Sequence, residues 1–180
     1  LLGNIPLASI ERIEILKGSG SVASGDGAMA GTINLVTKDS HGVNISLAAG
    51  NKGYMNGTFV AGITEEFFAF QVTADKKKSD GFRDKDLNGK KDKSDAENFS
   101  TDLKITPLDE LEIRLGADRS RLESNYGSPL SLTEFHKNPK INNSTTEEEL
   151  ETDIYRLGTS IKPNQFLSFH LDFAKEKKKE

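Results

Sequence analysis

The chain has 180 residues, a formal net charge of −4, no cysteine and no tryptophan. Without cysteine there is no disulfide framework and no thiolate zinc site, and a mildly acidic chain lacks the concentrated basic face that nucleic acid requires. Only 34% of its residues are hydrophobic, few for a sizeable globular core, and no apolar run approaches the ~18 residues of a membrane helix.

Nor does Leu1-Leu2-Gly3-Asn4 make a charged region followed by an apolar stretch, as a signal peptide would. The chain therefore reads as a fragment of a longer protein. The first informative stretch runs from Ile10 to Lys38. Ile10, Ile13, Ile15 and Leu16 alternate loosely with Glu11, Arg12 and Glu14, which predicts a strand with one buried face. Gly18, Gly20, Gly25, Gly27 and Gly31 then break regular structure and permit a tightly folded loop. The β-branched run Thr32-Ile33-Asn34-Leu35-Val36-Thr37 returns the chain to a strand. Gly18-Ser19-Gly20-Ser21-Val22-Ala23 also fits a dinucleotide-binding fingerprint, but that motif needs a helix to follow. Ser24-Gly25-Asp26-Gly27 cannot sustain one.

The whole stretch resembles the C-terminal part of the plug domain of TonB-dependent outer-membrane receptors. Ile10 to Gly18 matches the family pattern I-E-R-I-E-V-L-R-G, with Lys17 in place of arginine. Gly27-Ala28-Met29-Ala30-Gly31-Thr32-Ile33-Asn34-Leu35-Val36-Thr37-Lys38 matches G-A-x-G-G-x-I-N-I-I-T-K. Ser19, Ser24 and Ala30 depart from the proline, tyrosine and second glycine of the family.

After Lys38 the pattern becomes period-two alternation, repeated seven times. Apolar positions fall at Val43, Ile45 and Leu47, at Met55, Phe59 and Ile63, and at Phe68, Phe70 and Val72. They recur at Phe99, Leu103 and Ile105, at Leu111, Ile113 and Leu115, at Tyr155, Leu157 and Ile161, and at Leu167, Phe169, Leu171 and Phe173. Each run is the size of a transmembrane β-barrel strand, apolar on one face. The intervening positions include Lys104, Arg114, Arg156 and Asp172, charges that a wet lumen permits. Short turns are expected at Thr64-Glu65, Pro107-Leu108-Asp109 and Lys162-Pro163-Asn164. Long polar excursions are expected at 76–97 and 123–149, with Asn51-Lys52-Gly53 on their side. This asymmetry is that of a barrel, with short periplasmic turns and long extracellular loops.

No catalytic constellation appears: His41, His136 and His170 lie in unrelated elements. Asp84, Asp86, Asn88, Lys90, Asp92 and Asp95 occupy the oxygen-ligand positions of an EF-hand-like frame, with Gly89 at the sharp turn. Hard oxygens at this spacing suit calcium in the loop 84–95. Against that stand an aspartate at the twelfth position, the neighbouring lysines and the lack of flanking helices, which suit a solvated mixed-charge loop. Lys76-Lys77-Lys78 and the tail from Lys175 lie where strands would leave the outer leaflet. Lipopolysaccharide phosphates would suit them; so would plain solubility.

The expected fold is all-β: the end of a plug over 1–40, then about seven antiparallel strands over 41–180 of an incomplete barrel of about 22 strands. The resemblance implies a non-enzymatic outer-membrane receptor that imports a scarce nutrient, such as a ferric siderophore or cobalamin. It implies the TonB–ExbB–ExbD complex as partner and no required cofactor. In that setting Arg12, Glu14 and Lys17 should face the lumen wall and pair with Lys104, Arg114 or Asp172. The alternative is a secreted or surface β-domain that binds calcium or glycans.

Overall fold

Period-two alternation becomes strand wherever turn residues bound it, and in the computed structural model it does so nine times. The structure describes residues 10–18, 31–37 and 41–179; the glycine loop expected at 19–30 and the end of the motif at Lys38 lie outside them. β1 (Ile10–Lys17) and β2 (Gly31–Thr37) form a two-stranded antiparallel hairpin. β3 (Gly42–Ala49), β4 (Met55–Thr64), β5 (Phe68–Ser79), β6 (Ser94–Leu108), β7 (Leu111–Gly127), β8 (Thr145–Asn164) and β9 (Leu167–Lys179) form one sheet in sequence order. Every neighbouring pair is antiparallel.

The register sorts the side chains into two unlike faces. Ile63, Phe70, Leu103, Leu115, Leu157 and Phe173 lie in one row across β4 to β9. One residue along, on the opposite face, the row reads Gly62, Gln71, Asp102, Gly116, Arg156 and Ala174. Burial is inverted relative to a water-soluble sheet. Leu171 and Phe173 are 73% and 65% exposed, while Thr73 and Gln71 are 2% and 6% exposed. Large apolar side chains gathered on an exposed face belong against lipid or a partner rather than water. Among the described residues no helix is long and apolar enough to cross a membrane.

The strands are longer than the apolar alternation predicts. β7 has 17 residues and β8 has 20, which shortens the expected excursions to 80–93 and 128–144. The extra rungs carry charges on the outward face, where alternation in hydrophobicity cannot reveal them. Lys76 pairs with Glu97 across β5 and β6. Arg121 holds Glu149 across β7 and β8 at 2.8 Å, and Glu123 of its own strand at 2.8 Å. Such cross-strand pairs favour the ladder.

The connections alternate as expected. Lys52 and Gly53 both have positive φ, 62° and 64°, and the Tyr54 amide closes on the Asn51 carbonyl at 3.3 Å. That is the two-residue turn whose twist suits a hairpin. At the other end of the sheet, Asn164 accepts the Phe166 and Leu167 amides and tightens the turn into β9. The connection 128–144 holds one helical turn that the periodicity did not predict, α1 (Leu132–Lys137). Ser131 and Glu134 cap it reciprocally, as the pattern S-x-x-E does.

Candidate functional site

The polar face carries a cluster of paired groups that spans several strands. Arg156 on β8 reaches across β7 to Asp102 on β6, with Nη2 to Oδ1 at 2.9 Å, and it also meets Asp118 at 2.9 Å. Ser100 donates to Asp118 at 2.7 Å and to Asp102 at 3.2 Å. The span is possible because the residue between Asp102 and Arg156 in the row is Gly116; a Cβ there would stand 2.8 Å from Arg156 Nε. Thr58 and Asn98 both donate to Asp75 further along the same face. The individual charges at Arg114, Arg156 and Asp172 were legible in the sequence. The pairing of Arg156 with residues 54 and 38 positions away emerges only from the register.

A cleft of about 620 Å³ opens between this wall and the hairpin. Glu11, Asn34 and Val36 border it from the hairpin, and Gln71, Asp102, Lys104, Arg114, Arg156 and Asp172 from the wall. The expected plug contacts fall otherwise within the hairpin. Arg12 bonds to Glu14 at 2.8 Å and to Glu11 at 3.3 Å, and Glu14 also accepts from Asn34 at 2.9 Å. Lys17 stands at the end of β1, opposite Gly31. On the wall, Arg114 pairs with Glu112 of its own strand. Arg12 and Glu14 on the hairpin, and Arg114 on the wall, thus each find a partner on their own surface.

At the far end of the sheet the two long connections clasp each other. The Asp84 amide donates to the Lys140 carbonyl at 2.8 Å, and Asn125 donates to the Lys93 carbonyl at 2.8 Å. Arg83 donates to the Ser128 carbonyl, and the Lys140 ammonium lies over the Phe82 ring at 6.0 Å. The carboxylates of the calcium-like frame serve this clasp. Asp86 accepts the amides of Asn88 at 2.9 Å and Lys90 at 2.8 Å, with Gly89 at φ +78° in the turn. Asp92 accepts the amides of Phe82 and Arg83. Asp95 is in β6, opposite Lys78 and Glu123, and Lys90 pairs with Glu147. Among the described residues no three carboxylates or histidines gather where one metal ion could be held. Several millimolar calcium is expected to leave hydrogen-exchange protection over 84–95 unchanged in the assembled protein. A calcium-dependent gain in protection, lost in Asp86→Ala, would instead establish ion binding by this loop.

Asp86 makes this clasp sensitive to acid. Burial pushes its pKa up, but the Lys90 amide, the Thr145 hydroxyl, the Asn88 amide and the Lys90 charge outweigh that and hold it below the usual aspartate range. A depressed folded pKa stabilises above the unfolded value, near 4, and the contribution disappears as pH falls through the folded value. Acidification below about pH 4 should therefore loosen residues 84–92. Exchange rates at Asn88 and Lys90, corrected for intrinsic pH dependence, should rise in the wild type and show no such step in Asp86→Ala.

These features are those of a barrel segment with a polar interior, and the comparisons agree. The chain is 39% identical over 59 residues to the vitamin B12 transporter BtuB of Vibrio vulnificus (strain CMCP6), a match covering 31% of this chain and 10% of that protein. That likeness supports the resemblance of the chain to a fragment of a TonB-dependent receptor. Its fold also matches the copper transporter OprC with a TM-score of 0.66 at 18% identity, over 94% of this chain and 25% of that one; that likeness is one of fold. No family model matches the chain. The matched parts span only a tenth to a quarter of the length of these proteins. Both are outer-membrane proteins of Gram-negative bacteria, and the exposed apolar face of this sheet suits contact with lipid.

Proposed function

We propose that this segment belongs to a receptor that imports a scarce small molecule across the outer membrane, energised through TonB–ExbB–ExbD. The observation that carries this reading is the polar wall of β5 to β9 set against the β1–β2 hairpin, with a cleft lined by charged and amide side chains between them. A polar wall behind an apolar exterior serves passage, and among its described residues no group is arranged for bond-making. Residues 1–40 act as the end of the plug, and 41–180 supply wall strands. The relatives' names point to cobalamin and copper as cargo to test first, and a ferric siderophore is the third candidate. Uptake of labelled cyanocobalamin, copper and ferric siderophores should be measured in cells carrying the complete receptor. A reducible bis-maleimide cross-linker joining Asn34→Cys to Gln71→Cys across the cleft should abolish uptake of the true cargo, and reductant should restore it. Full uptake with the bridge formed would exclude the cleft as a moving part.

A further inference from the structure

The sequence holds two asparagine–glycine dipeptides, Asn56-Gly57 and Asn88-Gly89, and the fold treats them differently. In such a pair the glycine nitrogen, unshielded by a side chain of its own residue, can close on the asparagine side-chain carbonyl carbon. Asn56 and Gly57 lie in β4, paired on one side with β3 and on the other with β5. Bending the chain there to bring the two atoms together would break rungs on both sides. Asn88 and Gly89 are exposed in the connection between β5 and β6, and a Cβ placed on Gly89 would meet nothing within 4 Å. A turn built on Asp86 restrains them instead. The Gly89 amide donates to the Asp86 carbonyl at 3.0 Å, and the Asp86 amide donates to the Lys90 carbonyl at 2.7 Å. The Asp86 carboxylate adds the amides of Asn88 and Lys90, and at 7% exposure it is shielded from competing water. While the turn is closed, the Gly89 N–H is engaged and its proton is held. A local turn of this kind opens far more readily than a strand paired on both edges.

We propose that Asn88-Gly89 is a deamidation site whose rate is set by Asp86, and that its conversion releases the clasp between the two long connections irreversibly. When the turn opens, hydroxide removes the Gly89 amide proton and the nitrogen attacks Asn88 Cγ. The bond from Cγ to the side-chain nitrogen breaks, ammonia leaves, and a cyclic imide remains. Water opens the imide at either carbonyl, giving aspartate or isoaspartate, with no change of oxidation state. Isoaspartate carries the main chain through the former side chain and lengthens it by a methylene, so the Asp86 carbonyl and the Gly89 amide no longer meet. The contacts from Asp84 to Lys140 and from Arg83 to Ser128 then lose the turn that spaces them. The reaction belongs to the connection itself and does not depend on the cargo.

Peptide mapping of the complete, detergent-purified receptor tests this, with samples held at mildly alkaline pH and analysed over days for asparagine, aspartate and isoaspartate. In denaturant the two dipeptides should react alike. In the folded wild type Asn88 should convert while Asn56 stays intact. Asp86→Ala should speed conversion of Asn88 roughly tenfold, the effect of losing one charge-assisted hydrogen bond on the opening of the turn. Asp86→Asn, which keeps a neutral acceptor, should fall between. Tryptic cutting at Lys85 and Lys90 should rise in step with isoaspartate in the wild type and stay constant with age in Asn88→Gln, whose longer side chain closes the ring poorly. Equal conversion of Asn56 and Asn88 in the folded wild type, or an unchanged rate in both Asp86 variants, overturns the site and its control. Cutting that does not follow isoaspartate overturns the release of the clasp.

Discussion

Leu115→Arg should abolish most barrel assembly, whereas Arg114→Leu, one residue away, should be nearly silent. Leu115 lies mid-row between Leu103 and Leu157 on the apolar face, and it is 44% exposed. In the outer membrane that exposure is to hydrocarbon. An arginine there near the midplane costs roughly 2–4 kcal/mol, a large part of what a marginally stable protein has in reserve. Arg114 points the other way, into the polar wall, where its partner Glu112 belongs to its own strand. An exposed pair of that kind contributes about 0–1 kcal/mol. The folded, heat-modifiable fraction in outer-membrane preparations should therefore collapse for Leu115→Arg and hold for Arg114→Leu. Similar losses for both would mean that the two faces have been assigned wrongly.

Gly81→Val should unclasp the two long connections while leaving the barrel intact. Gly81 has φ +76°, a region costing an L-residue about 1–2 kcal/mol, and more for a β-branched one. Space is the harder limit: a Cβ at this position would stand 1.4 Å from the Asp92 carbonyl oxygen. That neighbour is backbone and cannot swing aside. Asp92 also caps the Phe82 and Arg83 amides, so displacing it releases the turn that aims Arg83 at Ser128. Trypsin should then cut at Lys85, Lys90, Lys91 or Lys93 far faster than in the wild type. Heat-modifiable migration should be unchanged. Unaltered cleavage in an assembled variant would show that the clasp does not depend on this turn.

The seven wall strands were legible because lipid on one side and a wet interior on the other impose period-two alternation. Their true lengths were not, because beyond the hydrocarbon the alternation is one of charge against polarity. Lys76, Glu97, Arg121 and Glu151 lie in one row across four strands, yet each looks like loop when read alone. The helix α1 was readable from Ser131 and Glu134, but six residues leave no periodicity to find. The frame from Asp84 to Asp95 shows a deeper ambiguity. Aspartate two residues before asparagine-glycine is what a metal loop needs, and also what a turn needs to satisfy its own amides. Asp86 takes the second role. The wall pairing among Asp102, Asp118 and Arg156 depends on register, which no local pattern encodes.

The hairpin's connectivity has a mechanical consequence. Ile10, where β1 begins, sits opposite Thr37, where β2 ends, and the chain continues from Thr37 into the wall strand β3. A load applied from the N-terminal side, with the wall held fixed, therefore pulls on two points at the same end of the ladder. The rungs from Thr37 to Gly31 are then peeled in succession, each bearing the tension alone. Shear, in which all rungs resist at once, would require the two points to lie at opposite ends. Arg12 and Glu14 pair within β1, so peeling the two strands apart leaves that ion pair whole.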